Sequence, residues 1–262
     1  MARQRGSGAF RALAGSSGLR RVVGGYALFI LTEYSVWIAM LVYAYSRGGA
    51  TIAGVVAVAQ LVPAALLAPV FAALADRHSP VVLLAGGYLV QAAAMGATAV
   101  AVAGGVPLAA YAGAVVASTA VTATRPAQST LVPSLAATPD QLTAANVVVS
   151  WVEAAAIAVA GALTGVLITV GGVAGVFGAC AALAAVAALL VFGLKVPALA
   201  APQEDVPPVV ARLSASVRLA AGQPRLRLML SMLTAEAAVL GALDLLFVIL
   251  AVTVLGRPQA WA

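Results

Sequence analysis

Apolar residues run along this chain in seven long stretches, separated by short polar or glycine-rich connections. They cover about residues 22–45, 51–75, 81–103, 107–127, 142–170, 172–194 and 226–255. Each is near or above the roughly 20 residues a helix needs to cross the hydrocarbon core of a bilayer. Water cannot satisfy backbone N–H and C=O groups at that depth, so every stretch is predicted to be helix. This holds even at Val147, Val148 and Val149, which favour strand in water. The runs are continuous and do not alternate residue by residue, which argues against a membrane barrel. The pattern predicts an all-α polytopic membrane protein.

Composition agrees: 63% of the 262 residues are hydrophobic and 8% are charged, with a mean hydropathy of +1.08. Little material is left for a soluble domain. The net charge of +6 matters chiefly for orientation. Arg3, Arg5, Arg11, Arg20, Arg21, Arg77, Arg125, Lys195, Arg212, Arg218, Arg225 and Arg227 fall on one side of the seven predicted spans, and Arg47 and Arg257 on the other. The excess of basic residues in cytoplasmic loops places the N-terminus in the cytoplasm, and seven crossings place the C-terminus outside. No aromatic residues interleave with the basic ones as on a nucleic-acid surface, so no nucleic-acid partner is expected. The first apolar run is too long for a signal peptide and contains Glu33, so it reads as a retained helix. Thirteen arginines against one lysine suggest a GC-rich bacterial genome and a cytoplasmic membrane.

The connections divide the chain. Residues 1–21 form a basic cytoplasmic segment, 22–195 a six-helix transmembrane bundle, 196–225 a cytoplasmic linker, 226–255 a seventh transmembrane helix and 256–262 an external tail. The linker opens Pro-rich and acidic (Pro202, Glu204, Asp205, Pro207, Pro208). It then turns amphipathic, with Val209, Val210, Leu213 and Val217 near one helical face and Arg212 and Arg218 toward water.

The six-span block, the linker and the stretch from Ala72 to Pro80 resemble the N-terminal half of a major facilitator superfamily transporter. The family's loop reads Gly-x-Leu-Ala-Asp-Arg-x-Gly-Arg-Arg. Leu74, Ala75, Asp76 and Arg77 match it, while Ala72 and Ser79 stand for the glycines and Pro80 and Val81 for the basic pair. Pro126-Ala127-Gln128, Leu131-Val132-Pro133, Leu142 and Ala145-Asn146 look like the branch of siderophore and drug exporters. The resemblance implies two inverted three-helix units, proton-driven export of a small hydrophobic or amphipathic compound, and a gate at Asp76 and Arg77. Capping of the third span by Asp76 is the alternative. Members of the family close their pathway between two six-span halves. A half-length chain is therefore expected either to need its missing second half or to act as an assembly or regulatory subunit with another membrane protein.

Within the spans, ionisable residues carry the functional reading. An ionised side chain at mid-bilayer costs about 2.5–3.5 kcal/mol by insertion scales, so such groups face partners or water-filled cavities. Glu33 lies in the first span, Glu153 in the fifth, and Glu236 and Asp244 in the seventh. Glu33 shares a helical face with Trp37, and Glu153 shares one with Asn146 and Ser150. Glu236 and Asp244 are about 80° apart around their helix at roughly 100° per residue. These seven residues are candidates for proton coupling or for lining a substrate cavity. Hydrogen-bonded carboxylates that hold helices together are the structural alternative. Arg125 reads either as a snorkelling anchor at a helix end or as a cavity residue.

Other chemistries lack their residues. With one histidine, His78, and one cysteine, Cys180, the chain cannot build a zinc site, a disulfide or a Cys/His nucleophile pair. The glycine-rich turns form no phosphate-binding loop, so direct coupling to ATP would need another subunit; no metal and no cofactor is expected. An intramembrane enzyme is disfavoured because the acids are scattered and no nucleophile–base pair is evident. The expected partners are the lipid bilayer, protons and a small-molecule substrate.

Overall fold

The computed structural model describes residues 16–75, 78–136, 138–194 and 209–255. These segments are helical: α1 (Ser17–Ala75), α2 (Pro80–Ala103), α3 (Pro107–Leu135), α4 (Pro139–Val191), α5 (Val209–Gly222) and α6 (Pro224–Leu255). Four of the six begin on a proline. The first turn of a helix has no intrahelical partner for its N–H groups, so the missing donor costs nothing there and the fixed φ is already helical. At the start of α4, Thr138 adds a side-chain cap by accepting from the Gln141 N–H at 3.2 Å.

Five of these helices, with α6 taken over Pro224–Leu243, are long and apolar enough to cross a membrane. Two are far longer than one crossing requires. α1 has 59 residues and α4 has 53, and each holds two of the seven apolar stretches. The break in α1 is at Gly48 and Gly49, with Gly49 at φ 64 and ψ −158; in α4 it is Gly172, at φ 63 and ψ −170. That region of backbone space is open essentially to glycine alone.

The breaks reverse the chain. Glu33 and Gln60 flank Gly48 and Gly49 and would lie about 40 Å apart along a straight helix at roughly 1.5 Å per residue. Both instead bond to α3, through Arg125 and Ser118, which are two helical turns apart. In α4, Thr164 donates to the Ser35 carbonyl, while beyond Gly172 the carbonyls of Leu190 and Phe192 accept from Arg21, at 2.6 and 2.7 Å. Thus α1 and α4 are helical hairpins. Arg21 also supplies donors to the open C-terminal carbonyls of the second arm of α4.

One expected boundary changed, at a proline. The run through α3 was expected to end near residue 127, but the helix continues past Pro126 to Leu135. Pro63 and Pro69 lie in the second arm of α1 without leaving helical geometry. A proline forfeits one backbone bond, and in a membrane helix neighbouring residues repair that loss.

Two apolar clusters fill the bundle. One gathers Met40, Leu41, Val56, Met95, Val176 and Phe177 around the glycine-broken ends. The other gathers Leu19, Phe29, Leu84, Tyr88, Leu131 and Val191, with the Phe29 and Tyr88 rings 5.5 Å apart. Small residues let helices approach: a Cβ on Gly87 of α2 would collide with Thr124 of α3. The outward faces carry large apolar side chains such as Leu66, Leu108, Val170 and Leu189, as lipid contact demands. α6 packs on α1 and α5, and its side chains over Leu228–Leu243 are exposed. The second half of the expected linker is the helix α5; residues 196–208 and 256–262, the latter expected as an external tail, lie outside the described residues.

Candidate functional site: an apolar cavity with an ion pair in its wall

Both arms of α1, together with α2 and α3, enclose a cavity of about 640 Å³. Its wall is mostly apolar, with Val36, Leu61, Ala64, Ala68, Met95 and Val121 among the lining residues. This is the size range of sites for drug-sized ligands. Charge enters from two helices. Arg125 Nη2 of α3 donates to both carboxylate oxygens of Glu33 in α1, at 2.8 and 2.9 Å.

The pair is only partly shielded, the Arg125 side chain 45% and the Glu33 side chain 24% exposed. Each charge cancels the other, so the wall is held neutral while both groups remain within reach of a ligand. Trp37, one turn beyond Glu33, lines the same space. Glu153 of α4 is half-buried and close enough to act electrostatically on Glu33, Arg125 and Tyr26. One arginine is therefore set among two carboxylates and a phenol.

Residues 22–261 match the model of the Major Facilitator Superfamily. The chain belongs to that superfamily. As a transporter of this family it resides in a lipid bilayer and handles small-molecule substrates. No curated protein and no solved structure matches it.

In this major facilitator chain the residues singled out from sequence divide into groups. Glu33, Trp37 and Arg125 share the cavity, with Glu153 at its electrostatic edge. Asn146 and Ser150 instead line a shallow, open groove of about 350 Å³ with Thr143, Val147 and Trp151 on the first arm of α4. Glu236 is exposed on α6. Asp244 belongs to α6 as well, but its side chain lies outside the described set. Asp76 and Arg77 lie outside the described residues, and the N-cap position of α2 is Ser79.

Three cavity residues went unrecognised in the sequence: Gln60, Gln91 and Ser118. Ser118 Oγ donates to Gln60 Oε1 at 3.1 Å, and Gln60 Nε2 reaches the Val56 carbonyl at 3.4 Å. A signal did exist. Gln60 and Gln91 are amides inside otherwise apolar spans, where polar side chains are costly and mark packing or binding positions. A search limited to ionisable groups passes over them.

Proposed function

We propose that this chain is a secondary active transporter that exports a small hydrophobic or amphipathic compound in exchange for protons across the cytoplasmic membrane. In this reading the two hairpins, α2 and α3 provide six crossings as two inverted three-helix units, and α6 is a seventh. The N-terminus is cytoplasmic. Asp76 and Arg77 form the cytoplasmic gate, while Asn146, Ser150, Glu236 and Asp244 contribute to a second polar face of the pathway.

The observation that carries the proposal is the Glu33–Arg125 pair in the wall of an apolar cavity. A structural tie between two helices does not need a cavity large enough for a ligand, and a purely apolar binding site does not need a carboxylate. Protonation of Glu33 removes its negative charge and with it the ion–ion attraction; the guanidinium stays charged, but one carboxyl oxygen becomes an O–H and is a poorer acceptor for it. Arg125 is then released from Glu33, with the Glu153 carboxylate within its electrostatic reach. Proton arrival on one side and ligand release on the other are thereby linked through one guanidinium.

The test is efflux of a panel of hydrophobic dyes from cells expressing the chain, at several external pH values, with Glu33→Gln and Glu153→Gln. The expected result is wild-type efflux that rises with the inward proton gradient and an E33Q variant whose residual efflux ignores pH at equal membrane abundance. PH-dependent efflux at the wild-type rate in E33Q would exclude Glu33 as the coupling group.

A further inference from the structure

The cavity has a second polar feature, without charge. Gln91 of α2 is fully buried and lines the cavity. Neither Nε2 nor Oε1 of its amide has a hydrogen-bond partner among the described residues. Gln60, also fully buried, and Ser118 are bonded to each other and line the same cavity. Resting on the transport reading above, we propose that Gln91, which lines the same cavity as Gln60, is the subsite for an uncharged donor–acceptor group on the ligand. An amide, sulfonamide or hydroxyl carried on an apolar body fits that description.

The argument is one of cost and spacing. A primary amide at this depth gives up its water and gains nothing from the protein, whereas Leu at the same place would pack with no polar penalty. An amide with one donor face and one acceptor face is satisfied by a ligand group that is both acceptor and donor. Ser118 and Arg125 lie two turns apart on one face of α3, about 10 Å along the axis at roughly 1.5 Å per residue. A ligand reaching along α3 therefore meets the Ser118–Gln60 hydrogen bond at one end and the neutralised ion pair at the other. The ion pair already balances its own charge, so the glutamines are the part of the wall that selects a neutral polar group.

Two probes test this: dansyl butylamide, which has a sulfonamide N–H, and its N-methyl derivative, which lacks that donor. Binding to the full chain in nanodiscs is read as energy transfer from Trp37, with Trp37→Phe giving the background from probe dissolved in lipid. The expected result is that Gln91→Leu weakens the N–H probe about tenfold and moves the N-methyl probe less than twofold. Without probe, its thermal unfolding midpoint should equal or exceed that of wild type. Equal effects on both probes, no effect on either, or no transfer from Trp37 in wild type would overturn the subsite. So would a lowered midpoint in the empty protein, which would mark Gln91 as a structural residue. A tenfold selective loss in Q91L alongside E33Q efflux that still follows pH would remove proton coupling and leave the subsite standing.

Discussion

Neutralising the Glu33–Arg125 pair one side at a time separates what the pair does for folding from what it does for transport. Glu33→Gln leaves a lone guanidinium in the cavity wall, Arg125→Gln leaves a lone carboxylate, and the double variant leaves two amides and no charge. Stranding one member of a fully buried pair costs about 3–5 kcal/mol, whereas exposed pairs are worth about 0.2–1 kcal/mol. This pair lies between those limits, with side chains 24% and 45% exposed but two hydrogen bonds of 2.8 and 2.9 Å. Each single variant is expected to lose about 1–3 kcal/mol. The double variant should recover to within about 1 kcal/mol of wild type, because an amide pair at this spacing can still hydrogen-bond. The assay is reversible unfolding in mixed micelles for the four proteins, closed as a double-mutant cycle, together with dye efflux from the same four. Stability that returns in the double variant while pH-dependent efflux does not would assign the charges to coupling. Additive losses, with the double variant as unstable as the sum of the singles, would refute the reasoning, since they require the two groups to act independently.

Two further predictions concern the turns and the packing. Gly49→Ala and Gly172→Ala place a Cβ in open space but on backbone at φ 64 and 63, so each should cost about 1–3 kcal/mol from strain alone. Gly54→Ala, helical and equally open, should be neutral or stabilising by up to about 1 kcal/mol; thermal unfolding of the three variants measures the contrast, and equal effects would contradict it. Gly87→Ala should lose about 1–3 kcal/mol because its methyl meets Thr124 Cγ2, and Thr124→Ser, which removes that methyl, should rescue it. A rescued pair no more stable than Gly87→Ala alone would show that the close approach of α2 and α3 has another cause.

Helical class and placement in a bilayer were legible in the sequence because both follow from local facts. A continuous apolar run surrounded by lipid has no partner for its backbone except itself, so helix is forced residue by residue, whatever its neighbours in space. The starts of the helices were partly readable for the same reason, since Pro80, Pro107 and Pro139 act on their own first turns. Glycine-rich connections at Gly48-Gly49 and Gly171-Gly172 marked where long runs pause. Glu33 and Trp37 were recognisable as neighbours because a four-residue spacing is a property of one helix.

The tertiary structure decided which helices meet, and with that the site. Arg125 could be an anchor or a cavity residue as long as only its own span was known; α3 folding against α1 brings it to Glu33, 92 residues away in sequence. The same packing separates Asn146 and Ser150 from the cavity although their spacing to Glu153 is regular, because the face of α4 that carries them lines an open groove. Gln60 and Gln91 acquire meaning only when α1, α2 and α3 surround one space, since an amide's value depends on what it can reach. Spacing along one helix is set by covalent geometry and survives any packing, whereas proximity between helices is set by which side chains interdigitate, and no single span contains that information.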